Sequence, residues 1–316
     1  MTKKRLILAG GTALLAACVA AKTAQHLAEG NKAIQITEYI CRSERVPEGF
    51  DGFRIVNVSD LQSEYFGVMQ ADLIEKVKLA EPDIIVITGD LVDRNHTDFM
   101  AAMKAVSGLL KIAPVYYVNG NHEVRLSETR MQPFYAELRQ MGVKVLLDES
   151  VIVIRGGEHI NVVGLSEYSI YGARALAEGT EEWTPGNVIT DFLDTLHSEG
   201  TEVEREEVAR KVKELCDATD DGFTLLLAHE PQLVESYAAG APDVVMCGHA
   251  HGGQFRTPGG QGLFSPNQGA FPRYTAGLHP CGDGVMLVSR GLGNSTFPLR
   301  LNNPPEVTVM TLLRKG

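Results

Sequence analysis

The stretch Asp83-Ile84-Ile85-Val86-Ile87-Thr88-Gly89-Asp90-Leu91-Val92-Asp93 decides how this chain is read. A run of β-branched aliphatic residues with no polar alternation describes a strand covered on both faces, as in a parallel sheet flanked by helices. The run halts at Gly89, and carboxylates follow at the carboxyl end of the strand, where ligands of open α/β sheets gather. Residues 53–59 repeat the pattern and lead into Ser59-Asp60-Leu61-Gln62. Residues 115–119 repeat it again and lead into Gly120-Asn121-His122-Glu123. Between these strands, residues 71–80 and 99–110 have helical spacing, stopped by Pro82 and Pro114. Strand and helix alternating with short links predict consecutive βαβ units and a parallel core.

The second half is richer in strand patterns. Residues 143–147, 151–155 and 160–164 read as a meander, while 285–289 and 307–313 are further strands. Two short apolar runs, 223–228 and 243–247, end in Ala228-His229-Glu230 and Gly248-His249-Ala250-His251. Residues 33–41 alternate like an edge strand. Two sheets packed face to face, with helices outside, accommodate this number of strands better than one sheet. Residues 167–200, with the only tryptophan, Trp183, fit neither pattern and read as an insertion near the rim of the site.

Single residues in this array mean little. An Asp at a strand end is ordinarily a turn or cap residue. Asn121-His122 says more, because packing has no use for two polar groups after a buried strand. Gly248-His249-Ala250-His251-Gly252-Gly253 says most: two imidazoles one residue apart, hemmed by glycines, project from a loop towards the same or adjacent ions. Carboxylate, carboxylate, amide and then three histidines is a donor set suited to a pair of divalent metals. His96, His159, His197 and His279 keep the ordinary reading of a lone histidine. Arg94, Arg125, Arg256 and Arg273 lie close in sequence to these loops, and surface arginine is their default reading.

The chain has 316 residues, 44% hydrophobic and 22% charged, which is the composition of an ordinary folded protein. Of its formal net charge of −11, most comes from residues 167–221, where 15 acidic side chains face 5 basic ones. Such a balance argues against nucleic acid as a partner, which needs Lys and Arg to displace counterions. Cys41, Cys216, Cys247 and Cys281 are scattered without a C-x-x-C pair, so neither a disulfide scaffold nor a thiolate zinc site is indicated. Cys247 closes an apolar run and reads as a small buried hydrophobe.

Lys3, Lys4 and Arg5 precede an uncharged stretch, residues 6–21. As a helix it would span about 24 Å, short of the roughly 30 Å of a hydrocarbon core. Residues 1–22 therefore read as a signal or membrane-anchor segment, 23–32 as a polar spacer and 33–316 as the functional domain. Leu15-Ala16-Ala17-Cys18 resembles a lipoprotein processing box, with lipid on Cys18; an uncleaved anchor is the alternative. Both predict a domain tethered to the membrane on its extracytoplasmic side.

Taken together, Ile84-Ile85-Val86-Ile87-Thr88-Gly89-Asp90, residues 248–254, Pro266-Asn267-Gln268-Gly269 and Ser289-Arg290-Gly291-Leu292-Gly293-Asn294 resemble the calcineurin-like metallophosphoesterase superfamily, its bacterial membrane-tethered branch above all. The resemblance covers residues 33–316. It implies a four-layer α/β/β/α sandwich of two mixed sheets, with a dinuclear metal site at strand carboxyl ends. Asp60 and His251 would hold the first metal, Asp90 would bridge, and Asn121, His229 and His249 would complete the second site. His122 would be the general acid, oriented by Asp93 through a hydrogen bond, with Glu123 and Gln254 in support. A hydroxide shared between two cations stays nucleophilic near neutral pH, and an imidazolium can protonate the departing oxygen.

One position departs from the pattern. The superfamily places histidine two residues after the first aspartate, and this chain has Gln62. An amide oxygen is a harder and weaker ligand than imidazole. Gln62 either coordinates weakly, gives way to water, or costs the first metal. The expectation is surviving activity with two divalent ions, manganese foremost and iron, zinc or magnesium as alternatives. Some relatives of this branch cleave the pyrophosphate of lipid-A-precursor UDP-sugars. The resemblance and the tether thus imply hydrolysis of a phosphodiester or pyrophosphate, on a lipid-linked or cell-envelope substrate. A phosphomonoesterase, or a catalytically degenerate envelope protein because of Gln62, is the alternative.

Overall fold

The computed structural model describes residues 30–180, 200–294 and 297–316. The first half runs through strand β1 (Gln35–Ser43), β2 (Arg54–Val58), helix α1 (Ala71–Leu79), β3 (Ile84–Thr88), α2 (Phe99–Leu109) and β4 (Val115–Val118). A single turn, α3 (Asn121–Val124), then α4 (Glu128–Met141) and β5 (Lys144–Val145) complete it. The second half begins with β6 (Glu149–Arg155), β7 (Glu158–Gly164), α5 (Glu167–Glu178), α6 (Glu202–Asp217), β8 (Thr224–Leu227), α7 (Val234–Tyr237) and β9 (Val244–Cys247). A small hairpin of β10 (Phe264–Ser265) and β11 (Gly269–Ala270) follows, then β12 (Gly277–Cys281), β13 (Gly284–Val288) and β14 (Glu306–Arg314).

Two mixed sheets result, in the orders β1-β14-β2-β3-β4-β5 and β12-β13-β9-β8-β7-β6. The unbroken apolar run of β3 shows why they stack. Ile84 and Val86 enter a core between the sheets with Ile55, Tyr116, Val162, Leu225 and Met246. Ile85 and Ile87 point the other way, onto Leu73 of α1 and Ala105 and Val106 of α2. On the far face of the second sheet, Val163, Leu226 and Val245 meet Ile170 of α5 and Val208 and Val212 of α6. The four-layer α/β/β/α sandwich is therefore present. Burying these side chains is worth roughly 1.5–3 kcal/mol each before the entropy of ordering is charged against it.

Two expectations need correction. Residues 143–147 are not part of a meander: β5 pairs parallel with β4 in the first sheet, and of the three expected strands β6 and β7 alone pair antiparallel, in the second sheet. The chain changes sheets between them, through Leu146 buried in the central core. Residues 167–178 are helical, capped by Ser166, whose side chain accepts from the Tyr168 N–H, and ended by Gly179 at φ 69°. Their period was obscured because Glu167 is buried and Arg174 turns inward to pair with Glu204 and Glu230 instead of lying on a polar face. Trp183, His197 and the leader, residues 1–22, lie outside the described residues. Among the described residues no helix is long and apolar enough to cross a membrane. Cys41, Cys216, Cys247 and Cys281 are all free and buried.

Candidate metal centre

Every predicted donor follows the carboxyl end of a strand: Asp60 and Gln62 after β2, Asp90 after β3, Asn121 at the start of α3 after β4, His229 after β8, His249 and His251 after β9. These loops are forced together. Gly89 takes φ 90°, and a Cβ there would lie 2.5 Å from His229 Nδ1 and 2.7 Å from Gly120 Cα. A Cβ on Gly248 would lie 1.9 Å from Ser59 Oγ. Asp60, Asp90, His249 and His251 themselves sit at left-handed φ values of 52°, 53°, 65° and 45°. Each such residue costs about 1–2 kcal/mol, a cluster of strain that marks a functional site.

The loops are locked from behind by Glu123, which is fully buried. Its carboxylate accepts from the backbone N–H of Asp90 (2.9 Å), Val92 (3.1 Å) and Gly120 (2.8 Å), tying the β3 and β4 loops into one unit. His122 N–H then donates to Asp90 Oδ1 at 2.9 Å. On the β2 loop, Asp60 accepts from Ser59 Oγ at 2.6 Å and from His249 N–H at 2.9 Å.

Two groups of potential ligands result, Asp90 with His229 and His249, and Asp60 with Asp90 and His251, each with donor atoms within 4.8 Å of one another. All five residues are buried, and Asp90 belongs to both groups. In the first group His229 Nδ1 donates to the Thr88 carbonyl at 2.7 Å, which leaves Nε2 facing the centre. That Nε2 lies 3.1 Å from Asn121 Oδ1 and 3.3 Å from Asp90 Oδ2. His249 Nδ1 lies 2.9 Å from the same Asn121 oxygen and 3.3 Å from His229 Nε2. So many acceptor atoms within hydrogen-bond distance of one another need a positive charge among them. A proton on His229 can supply it. Burial works against a charged His229, yet Asp90 and Asp60 outweigh it and raise its pKa well above the ordinary value. A divalent cation fits the same place.

The second group is less complete. His251 Nε2 is 3.6 Å from Asp60 Oδ1, and Arg300 Nη2 donates to His251 Nδ1 at 3.2 Å. Gln62 is buried, donates its Nε2 to Asp90 Oδ2 at 2.7 Å, and leaves Oε1 without a hydrogen-bond partner. An orphaned buried acceptor beside two carboxylates is compatible with a cation. Burial keeps His249 neutral, its pKa pushed down to about 3, and burial with Arg300 holds His251 well below the usual imidazole value. Neutral imidazoles are what metal binding requires.

The Asp93 hydrogen bond to His122 is not formed. Asp93 Oδ2 is 3.7 Å from His122 Nδ1, while that nitrogen accepts from the Arg94 N–H at 3.1 Å. Asp93 Oδ1 instead caps its own turn, taking the N–H groups of Asn95 (2.6 Å) and His96 (2.8 Å).

Other contributors lie outside the predicted donor set. Arg300 acts through tertiary contact alone. Glu230, next to His229, is buried and paired with Arg174 of α5, Nη1 to Oε1 at 3.0 Å, and with Asn267 at 3.2 Å. Arg174 also bonds Glu204 of α6 at 2.8 Å. Of the lone histidines, His96 is 92% exposed in its side chain and His159 pairs with Asp220 at 2.6 Å, and neither belongs to the grouped ligands. Arg125 bonds Tyr171, and Arg256 bonds the Gly252 carbonyl, so both have structural uses.

Comparison with known proteins places the chain among phosphoesterases. The model of the family described as calcineurin-like phosphoesterase matches residues 53–253. The metallophosphoesterase YkuE of Bacillus subtilis is 30% identical over 88% of this chain and 85% of its own length. The phosphodiesterase YaeI of Escherichia coli is 26% identical, over 83% of this chain and 82% of its own. Among solved structures, the phosphopantetheinyl hydrolase of Mycobacterium tuberculosis aligns with a TM-score of 0.45 at 16% identity, covering 76% of this chain and 89% of that one.

Proposed function

The chain belongs to the calcineurin-like phosphoesterase family and is a metal-dependent hydrolase of phosphoric esters; from that premise we propose that it cleaves phosphodiester or pyrophosphate bonds with two divalent ions, manganese foremost. The substrate is a lipid-linked or cell-envelope phosphoester, and the domain, residues 33–316, is held at the outer side of the membrane by residues 1–22. The observation that supports this reading most is the sharing of Asp90 by two ligand groups.

Asp60, Gln62, Asp90 and His251 would hold one ion, and Asp90, Asn121, His229 and His249 the other. The ions supply Lewis acidity towards phosphoryl oxygens and a nucleophilic oxygen near neutral pH. His122 does the proton work. With Nδ1 accepting from Arg94, its neutral ring carries the proton on Nε2 and donates a hydrogen bond to a phosphoryl or departing oxygen. Delivering a proton as an acid needs the doubly protonated ring. Asp93 Oδ2, 3.7 Å away, is the carboxylate that would receive the new Nδ1–H when Arg94 gives way.

The test is turnover of bis-para-nitrophenyl phosphate by metal-stripped protein resupplied with manganese, alongside elemental analysis. Hydrolysis with two ions per chain, lost in His122→Ala, is expected. A preparation that binds one ion and stays inert with every divalent metal would support the degenerate reading, which the place of Gln62 favours.

A further inference from the structure

The described chain enters the fold at the end that bears the metal donors. Gln35 of β1 lies opposite Glu306 of β14 in a parallel pair, and β14 runs antiparallel to β2, with Thr308 opposite Asn57. The start of β1 is therefore beside the carboxyl end of β2, where Asp60 and Gln62 stand. Side chains agree. Asn31 donates to the Arg300 carbonyl at 3.1 Å, and Arg300 reaches His251. Lys32 donates to the Tyr65 carbonyl at 3.0 Å, on the loop that follows Gln62. The uncharged stretch of residues 6–21 ends ten residues before Asn31. Even fully extended, the spacer between them reaches no more than about 35 Å.

The same end carries apolar side chains that the fold does not use. Val68, 86% exposed, is the most exposed large apolar side chain among the described residues. Met69 beside it is 57% exposed at φ 56°, a strained conformation with no burial in return. Met100, in the first turn of α2, is also 57% exposed, and Gln70 binds the Ala101 carbonyl at 3.2 Å, so the two turns are neighbours. Lys104, one helical turn beyond Met100, extends its ammonium over the Tyr65 ring, 5.4 Å from the centroid. These positions follow β2 and β3, the strands that lead to Asp60 and Asp90.

We propose that this end of the domain docks on the surface of a phospholipid bilayer, with Val68, Met69 and Met100 entering the interfacial layer and Lys104 reaching the headgroups, so that the metal centre takes an amphiphilic phosphoester from the plane of the membrane. Apolar tips flanked by a long basic side chain suit that boundary. The inference rests on the tethered reading given under Proposed function and adds the orientation of the domain and the route of the substrate.

The test uses the full chain in vesicles of phosphatidylcholine and phosphatidylglycerol, with a bimane label on Val68→Cys, Met100→Cys or Asp221→Cys. The unsubstituted chain gives the labelling background, since the four described cysteines are buried. Asp221 is the control: its side chain is 99% exposed, and it precedes the amino end of β8, at the pole opposite His229. Doxyl-labelled lipid is expected to quench the probes at 68 and 100 and to leave 221 bright. Vesicle-bound protein with no quenching at 68 and 100, or with quenching at 221, overturns the docking. Protein that does not float with vesicles overturns the tether as well, while bis-para-nitrophenyl phosphate turnover reports separately on the enzyme. Val68→Ser combined with Met69→Ser should keep that turnover and lose about tenfold on a fluorescent phosphodiester lipid in the same vesicles. Equal rates on both substrates would sink the proposal.

Discussion

On one side of Asp90, Asn121, His229 and His249 bring an amide oxygen and two imidazole nitrogens to within 3.3 Å of each other. On the other side stand Asp60, Gln62 and His251, with no imidazole where the family's pattern has its first histidine. The backing of the two sides differs as much as the donors do. His229 donates its Nδ1–H to the Thr88 carbonyl, so its neutral ring turns the Nε2 lone pair to the centre. His251 receives a proton donor, Arg300, on its Nδ1, so the neutral ring carries its own proton on the nitrogen that faces Asp60. Binding on the second side must displace that proton or that contact. A guanidinium close to the ligand also opposes a cation. The lesson is that two ligand groups sharing one carboxylate need not be symmetric in affinity: here one group is closed and the other leans on Asp60 and on the shared Asp90.

The sharpest way to break the comparison is to remove what the halves share. Asp90→Asn takes one negative charge from both groups, and losing about 4 kcal/mol of charge stabilisation corresponds to roughly a thousandfold in kcat/KM. Both ions should be lost by elemental analysis, whereas retention of either would show that Asp90 does not bridge. His249→Ala touches only the closed half. It should release one ion, with roughly a hundredfold loss of activity and the folded state intact by circular dichroism. Release of both ions in this variant would mean that the halves are not separable.

The sequence made much of this legible, for a physical reason. A ligand that follows a fully buried strand and is flanked by glycine has a local signature, because the apolar run, the tight turn and the polar residue are adjacent in the chain. Asp90, Asn121, His249 and His251 obey it in full, while Asp60 and His229 follow buried strands without a glycine beside them. The four layers were legible for the same reason, since β3 can be buried on both faces only between two covered surfaces. What is set by tertiary contact was not legible. Arg300 stands 49 positions from His251. Arg174 shows its role only once α5 is placed against the loop of Glu230. Helix α4 holds Pro133, which reads as a breaker, although near the amino end of the helix it removes a single hydrogen bond. The Asp93–His122 hydrogen bond was expected from the resemblance, and the Arg94 backbone occupies its place.

The pH dependence of metal uptake should separate the halves without any substitution. In the metal-free chain Asp90 and Asp60, acting against burial, keep His229 protonated well above the ordinary imidazole pKa. An ion entering the closed half must displace that proton, so its affinity should rise by up to about tenfold per pH unit through neutrality, and level off once the pH exceeds the His229 pKa. His251 is already neutral, and burial pushes the Asp60 carboxyl up to about 6. The other half should therefore weaken only as the pH falls through about 6 and Asp60 takes up a proton. Manganese titration calorimetry in two buffers of different ionisation enthalpy checks this, with close to one proton released by the first ion at neutral pH. Equal proton release by both ions would erase the distinction.

The smallest expected effect is also the most specific to this chain. Gln62 adopts φ 52°, a left-handed conformation that histidine tolerates, and its side chain already points at Asp90. Gln62→His should replace a neutral amide with an imidazole in the weaker half and tighten that ion about fivefold, since the gain in ligand strength is partly offset by loss of the amide hydrogen bond to Asp90. Affinity of the tighter ion should be unchanged, because Asn121, His229 and His249 are untouched. Preference should move from manganese or magnesium towards zinc, the metal that imidazole favours. If Gln62→His instead strengthens both ions equally, the amide acts through Asp90 rather than as a ligand, and the weakness of that half would have to be traced to Arg300.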